Sequence, residues 1–216
     1  MEESTSINIK RIKYLIYAIN ITFSLTIILA WIFYPDTYRF FFHYISELGS
    51  TTTKLGTPNR TSQIIFTIGT IVSGTMAILM AEEYLKLKNR NPLNILKGIS
   101  LIIVYLGALT TIFSYDVPAF EYVHRFGAGF FVLMLFIYNA LCQFLRYQNG
   151  TNKISVDTQE SRNMTGDKIF LLFILLCFVA YFLVAIIGLE DYQPMIQKIV
   201  LIVILISNFI LDDEDY

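Results

Sequence analysis

Charge is the first thing this chain lacks. Asp, Glu, Lys and Arg make up only 15% of its 216 residues, where a soluble domain carries about a quarter. With 55% of the residues hydrophobic and a mean hydropathy of +0.58, a soluble globular domain is excluded, because water cannot solvate so apolar a surface. A basic excess is missing as well. Sixteen Lys and Arg stand against 17 Asp and Glu, for a net charge of -1, so phosphate backbones have little to bind and nucleic acid is excluded as a partner. The two cysteines, Cys142 and Cys177, both fall in apolar segments. That rules out a disulfide framework and a CxxC metal site. No signal-peptide cleavage pattern is present, and the first apolar run follows Lys10, Arg11 and Lys13, which reads as a retained first helix.

Catalytic signatures are absent too. The sequence holds no HExxH helix, no GxSxG elbow, no histidine in the last apolar run to make a Ser–His pair, and no mid-helix lysine for a Schiff base. No metal or cofactor is expected.

What is present is a series of long apolar runs. A spanning helix needs about 20 mostly apolar residues, and six stretches approach this: 12–33, 64–85, 95–113, 120–144, 169–189 and 195–211. The fifth is the cleanest, and the sixth is short and opens on Gln197 and Lys198. Backbone in hydrocarbon must satisfy its own hydrogen bonds, so the runs predict helices. The expected fold is all-α, a single polytopic bundle of six transmembrane helices covering residues 1–216. Asn91 before Pro92, Pro118 and Asp167 read as the starts of the third, fourth and fifth helices, and Pro194 separates the last two. With the N-terminus inside, the cytoplasmic flanks hold Lys10, Arg11, Lys13, Lys86, Lys88, Arg90, Lys97, Arg146, Lys153, Arg162 and Lys168, eleven in all. The other side holds five, Arg39, Lys54, Arg60, Arg125 and Lys198. This asymmetry predicts a cell-membrane protein with both termini in the cytoplasm; the acidic tail 212–216 weighs little.

Two loops differ in kind. Residues 150–167, rich in Asn, Ser, Thr and charge, read as a mobile cytoplasmic linker. In the first outer loop, Tyr38, Phe41, Phe42, Ile45 and Leu48 share one helical face, and Arg39, His43, Ser46, Glu47 and Ser50 the other. That pattern predicts an amphipathic helix over 37–48 on the outer membrane surface, opened by Asp36 and closed by Gly49.

Helix interiors nearly free of charge count against a pump, a coupled transporter or a voltage sensor. Asn20, Asn139, Gln143 and Asn208 are expected to bond between helices, and Gly69, Ser73, Gly127 and Gly188 to be small packing contacts. Both histidines, His43 and His124, fall on the outer side, with Ser46, Glu47, Ser114, Asp116, Glu121, Glu190 and Asp191. His43 and Glu47 are one helical turn apart, and a short turn brings Asp116 near His124. Three uses are open to His43, Ser46, Glu47, Asp116 and His124: a structural network of caps and hydrogen bonds, a site for a lipid headgroup or other ligand, or acid–base catalysis.

The stretch YISELGS after the first run, and YVHRFGAGFFVLMLFIYNALCQ opening the fourth, resemble the DRAM/Sfk family of six-span proteins. Tyr44, Ile45, Ser46, Glu47 and Gly49 match that family's "YISD-G" segment, with Glu47 in place of Asp. His124 with Gly127, Ala128 and Gly129 matches its histidine followed by small residues. Leu48 before Gly49 brings the chain closer to related prokaryotic six-span proteins with an "ISxLG" motif. The resemblance implies membrane residence and, from eukaryotic members, roles in autophagy, lipid-anchor remodelling or phospholipid regulation, but no reaction. The leading expectation is therefore a protein that binds membrane lipids or a protein partner and acts in membrane organisation. The alternative is a membrane-embedded hydrolase or lipid-modifying enzyme using His43, Glu47, Asp116 and His124.

Overall fold

The computed structural model describes residues 2–87, 92–114, 116–154, 164–189 and 191–210. Six α-helices follow one another: α1 Glu2–Ile32, α2 Arg60–Lys86, α3 Pro92–Thr110, α4 Glu121–Ile154, α5 Met164–Ile187 and α6 Gln193–Ile210. Five are long and apolar enough to cross a membrane, through Ile9–Ile32, Arg60–Lys86, Pro92–Thr110, Glu121–Gln148 and Gln193–Ile210. The fifth helix, 24 residues in all, is apolar through Lys168–Val184 among the described residues. Helix α6, with its polar opening, is long enough.

Successive helices pack as neighbours, most closely α1 on α2, α2 on α3 and α3 on α4, while α6 lies against α1, α4 and α5. Glycines allow two of the close approaches. A Cβ on Gly69 would collide with Thr26 of α1, and one on Gly127 with Thr110 of α3. Gly188 does otherwise than expected: its φ of +79° and open surroundings make it the turn after α5, where only glycine sits without strain. Inside the bundle, Asn139 Nδ2 donates to Asn208 Oδ1 at 2.9 Å, Asn208 Nδ2 to Asn20 Oδ1 at 3.2 Å, and Gln143 Nε2 to the Ser207 carbonyl at 3.3 Å. These bonds tie α1, α4 and α6 together, as expected of amides held in an apolar interior. At the end of the bundle where α2 stops, buried Glu83 pairs with Arg11 at 2.8 Å, and the Lys97 ammonium lies 5.2 Å from the centre of the Tyr84 ring.

Several local expectations need correction. Helix α4 runs to Ile154 and α5 starts at Met164, so 150–154 and 164–167 belong to helices, and Asp167 sits inside α5 rather than capping it. Residues 155–163, with Asn91, Glu190 and the tail 212–216, lie outside the described residues. Pro92 does open α3, and Pro194 is the second residue of α6, whereas α4 begins three residues after Pro118.

The largest correction concerns 37–48, which is not an α-helix. One turn around Arg39–His43 is followed by a 3-10 helix, Ile45–Gly49. The carbonyls that a helix would spend on its own amides are taken from elsewhere. Tyr38 shares its hydroxyl proton between the His43 and Tyr44 carbonyls at 3.3 and 3.0 Å, and Lys198 donates to His43 O. Tyr38, Ile45 and Leu48 pack inward with Ala30, Phe66 and Leu201. Phe41 and Phe42 stay exposed, and Glu47, assigned in sequence to the outer polar stripe, is 1% exposed.

Candidate functional site

Residues 34–59 form an end-cap over the bundle, and it is built around Glu47. Its Oε1 accepts from the Tyr44 backbone N–H at 2.9 Å and from Lys54 at 3.1 Å. The first bond closes the start of the 3-10 helix, much as a capping box opens an α-helix. Glu47 Oε2 faces His43 Nδ1 at 3.6 Å, and neither atom has a hydrogen-bond partner among the described residues. Burial holds the His43 imidazole below its ordinary 6.5; Glu47 opposes this, while Lys54, Lys198 and Arg39 add to it. Burial, with the nearby carboxylates Glu47, Asp36 and Asp116, also pushes the Tyr34 phenol up to about 12; burial, Glu47 and Tyr34 raise Tyr38 in the same direction.

Lys198 fastens the cap to α6. It is 1% exposed, donates to the carbonyls of His43 and Pro194, and lies 5.2 Å from the Phe40 ring centre and 5.7 Å from that of Tyr38. Aromatic faces and carbonyl oxygens replace the water that a buried ammonium needs. Two glutamines of the same helix reinforce it. Gln193 accepts from the Tyr44 hydroxyl at 2.6 Å, and Gln197 from the Ile45 N–H at 3.4 Å.

The far half of the cap rests on Asp116 and Asn59. Asp116 Oδ2 accepts from the Thr51 hydroxyl at 2.5 Å and from the Thr52 N–H and hydroxyl, both at 2.9 Å; Oδ1 accepts from Ser114. Burial opposes ionisation of Asp116, but the bonds from Ser114, Thr51 and Thr52 outweigh it and bring the carboxyl down to about 2. Asn59, fully buried, donates to the Leu48 and Ser50 carbonyls at 3.2 and 3.1 Å. The Ser62 hydroxyl also donates to Leu48 O, at 2.8 Å.

The five residues singled out in sequence therefore divide into groups. His43 and Glu47 face each other. Asp116 is spent on the threonines of the cap. His124 Nδ1 donates to the Phe113 carbonyl at 2.7 Å, closing the turn between α3 and α4. Among the described residues, no group of three or more His, Cys, Asp and Glu side chains is placed to hold a metal ion. Ser46 has a different position, in the wall of a cavity beneath the cap.

That cavity, of about 40 Å³, is lined by Ser46, Phe66, Thr70, Thr111, Ala128 and Gln197 among others. A second one, of about 60 Å³, lies deeper and is bounded by α1, α2, α3, α4 and α6. Phe23, Thr70, Ala108, Phe131 and Leu201 line both. The two share these walls and follow α2 from Phe66 to Met80, about 21 Å at 1.5 Å per residue; the pair is termed the slot. Its walls are aliphatic and aromatic except for a few amides and hydroxyls.

Lys198, Lys54, Asn59, Gln193 and the slot were missed by sequence reasoning. A lysine and two glutamines opening the sixth run were a signal, since polar groups inside an apolar run need partners. Nothing local in the sequence marks the slot. Comparisons with protein-family models, curated proteins and solved structures find no match.

Proposed function

We propose that this chain is a multi-pass membrane protein of the DRAM/Sfk kind that binds a membrane lipid, with one chain in the interior slot and the polar end at the end-cap. Six crossings with the cap outside and both termini inside complete the reading, in accord with the Lys and Arg asymmetry.

The slot carries this proposal. It is long and apolar, and Ser46 and Gln197 bring polar groups to the cavity beneath the cap. The shape and polarity suit a lipid chain better than water, because apolar cavities of protein interiors tend to stay dry. A further observation links it to the resemblance. Ser46 of the YISELGS stretch and Ala128 of the second stretch, far apart in sequence, line the same cavity. The two matching segments thus border one cavity. The polar end of the lipid would lie near Lys54, which is half exposed and pairs with Glu47.

Mass spectrometry of lipids retained through detergent purification tests the proposal. The wild type is expected to retain a defined lipid, and Ala108→Leu, which fills the stretch shared by both cavities, to lose it while keeping its helical circular dichroism. Equal lipid content in the two proteins would overturn the proposal. For topology, a cysteine replacing Leu55, which is 82% exposed at the tip of the cap, should react with an impermeant reagent applied outside. Protection of that cysteine in intact cells would reverse the orientation.

A further inference from the structure

Helical hydroxyls in this protein mostly turn back onto their own backbone. Thr26 donates to Thr22 O at 2.8 Å, Thr75 to Ile71 O at 2.8 Å, Ser100 to Leu96 O at 2.8 Å, and Thr110 to Gly107 O at 2.6 Å. This is the usual way for a serine or threonine to be satisfied in an apolar interior. Thr70 and Ser73 do not follow it. They are 6% and 7% exposed, and neither Thr70 Oγ1 nor Ser73 Oγ has a hydrogen-bond partner among the described residues. Both line the slot. Three residues apart on α2, they share a face and stand about 15 and 20 Å from the start of that helix at 1.5 Å per residue.

A buried hydroxyl without a partner costs free energy, and the neighbouring walls, Ala77, Leu101, Val104 and Phe131, offer it nothing. A plain alkyl chain in the slot would leave both hydroxyls unsatisfied. A chain carrying one oxygen function at that depth would satisfy them, since each hydroxyl both donates and accepts. We infer that Thr70 and Ser73 form a specificity site for an aliphatic chain bearing a mid-chain hydroxyl or carbonyl oxygen, held at the middle of the slot. The inference rests on the lipid-binding reading above and adds to it the class of chain.

Such a site discriminates strongly, because the analogue lacking the oxygen leaves buried polar groups unpaired. The test compares ricinoleate, whose chain has a hydroxyl at mid-length, with oleate, which has none. Each is offered as the free acid and as the acyl chain of a phosphatidylcholine, to detergent-purified full-length protein. Binding is read by native mass spectrometry and by the shift in melting temperature. The expected result is at least tenfold tighter binding of the hydroxylated chain in one of the two forms, and the form that binds identifies the source. In the double variant Thr70→Val and Ser73→Ala, which keeps the shape of the walls, oleate should bind as before and the preference should vanish. Equal binding of ricinoleate and oleate by the wild type would overturn the inference and leave the lipid-binding reading standing. Binding of neither in either form would overturn both. A preference that survives in the double variant would place the selectivity elsewhere and defeat the assignment of these two residues.

Discussion

The end-cap and the interior slot treat polar groups in opposite ways. In the cap, the Leu48, Ser50, His43 and Tyr44 carbonyls each have a side-chain donor, drawn from Asn59, Ser62, Lys198 and Tyr38. In the slot, two hydroxyls on one helical face have none. The cap holds many polar residues and satisfies most of them internally; its unpartnered atoms among the described residues, His43 Nδ1, Glu47 Oε2 and Asn59 Oδ1, belong to side chains already held in its network, so it reads as a built wall. The slot holds few and leaves two unmet, so it reads as a place for something else. The histidine and carboxylate groups of the cap face one another, His43 and Glu47 at 3.6 Å, or the threonines, as Asp116 does, whereas the two slot hydroxyls line a mostly apolar wall.

Substitutions break or sharpen this contrast, and the largest effect should come from the cap. Asn59→Ala strips the side-chain donor from the Ser50 carbonyl and leaves Leu48 O to Ser62 alone, and an unsatisfied buried group costs about 1–3 kcal/mol. We expect a loss of about 2–3 kcal/mol, read as a fall in melting temperature in detergent. A change within the error of measurement would show that the cap is not the wall described. Next comes Gly127→Val, whose added carbons have no room against Thr110; overpacking of this sort costs about 1–3 kcal/mol. This variant serves as a control from the helix crossing, where neither cap nor slot is touched directly.

In the slot the sign should reverse. Thr70→Val removes an unpartnered hydroxyl at constant shape, so lipid-free protein should gain about 1 kcal/mol. A loss of stability would mean that the Thr70 hydroxyl has a partner in the native state, and the contrast with the cap would fail.

The smallest effect is a response to acid, confined to the cap. Asp116 is held at about 2, below its ordinary 3.8. Its contribution is present above about 3.8 and is lost as the pH falls towards 2, since the unfolded chain takes up the proton first. Solvent screens this partly exposed carboxylate, so the effect is modest. His43 acts earlier and in the same direction. Its imidazole is held below 6.5, so protonation favours the unfolded chain and stability falls as the pH drops through that value. Melting curves against pH should show both steps, with Asp116→Asn removing the lower and His43→Gln the upper. A flat profile from pH 7 to pH 3 would contradict both assignments.

Much of this architecture was legible in the sequence, because spanning helices announce themselves by composition and length. The six runs correspond to six helices, and Asn139 and Gln143 bond to α6 as their place in an apolar run demanded. The interior packing of Gly69 and Gly127 was legible for the same reason. The end-cap was not. Its period of apolar residues suits an α-helix, but Tyr38 and Lys198, five and 155 residues away from His43, claim the carbonyls that such a helix needs. Local periodicity cannot foresee a donor that arrives from the last helix. Asp116 and His124 were correctly placed in one neighbourhood by the turn between α3 and α4, yet what each binds, Thr51 and Thr52 in one case and the Phe113 carbonyl in the other, depends on how the cap folds. The slot lies between five helices and has no signature in any one of them.

The most direct test of a lipid chain in the slot is residue-level crosslinking with a fatty acid carrying a diazirine in mid-chain. Helix α2 gives an internal control, since Ile64, Ile68, Ile71 and Val72 are exposed on its outer face while Thr70, Ser73 and Ala77 line the slot. The prediction is label on Thr70, Ser73, Ala77 and, across the slot, Leu201 or Leu205, abolished by excess unlabelled lipid. Label confined to Ile64, Ile68, Ile71 and Val72 and insensitive to competition would mean that lipid only bathes the bundle, contradicting the claim that one chain is held within it.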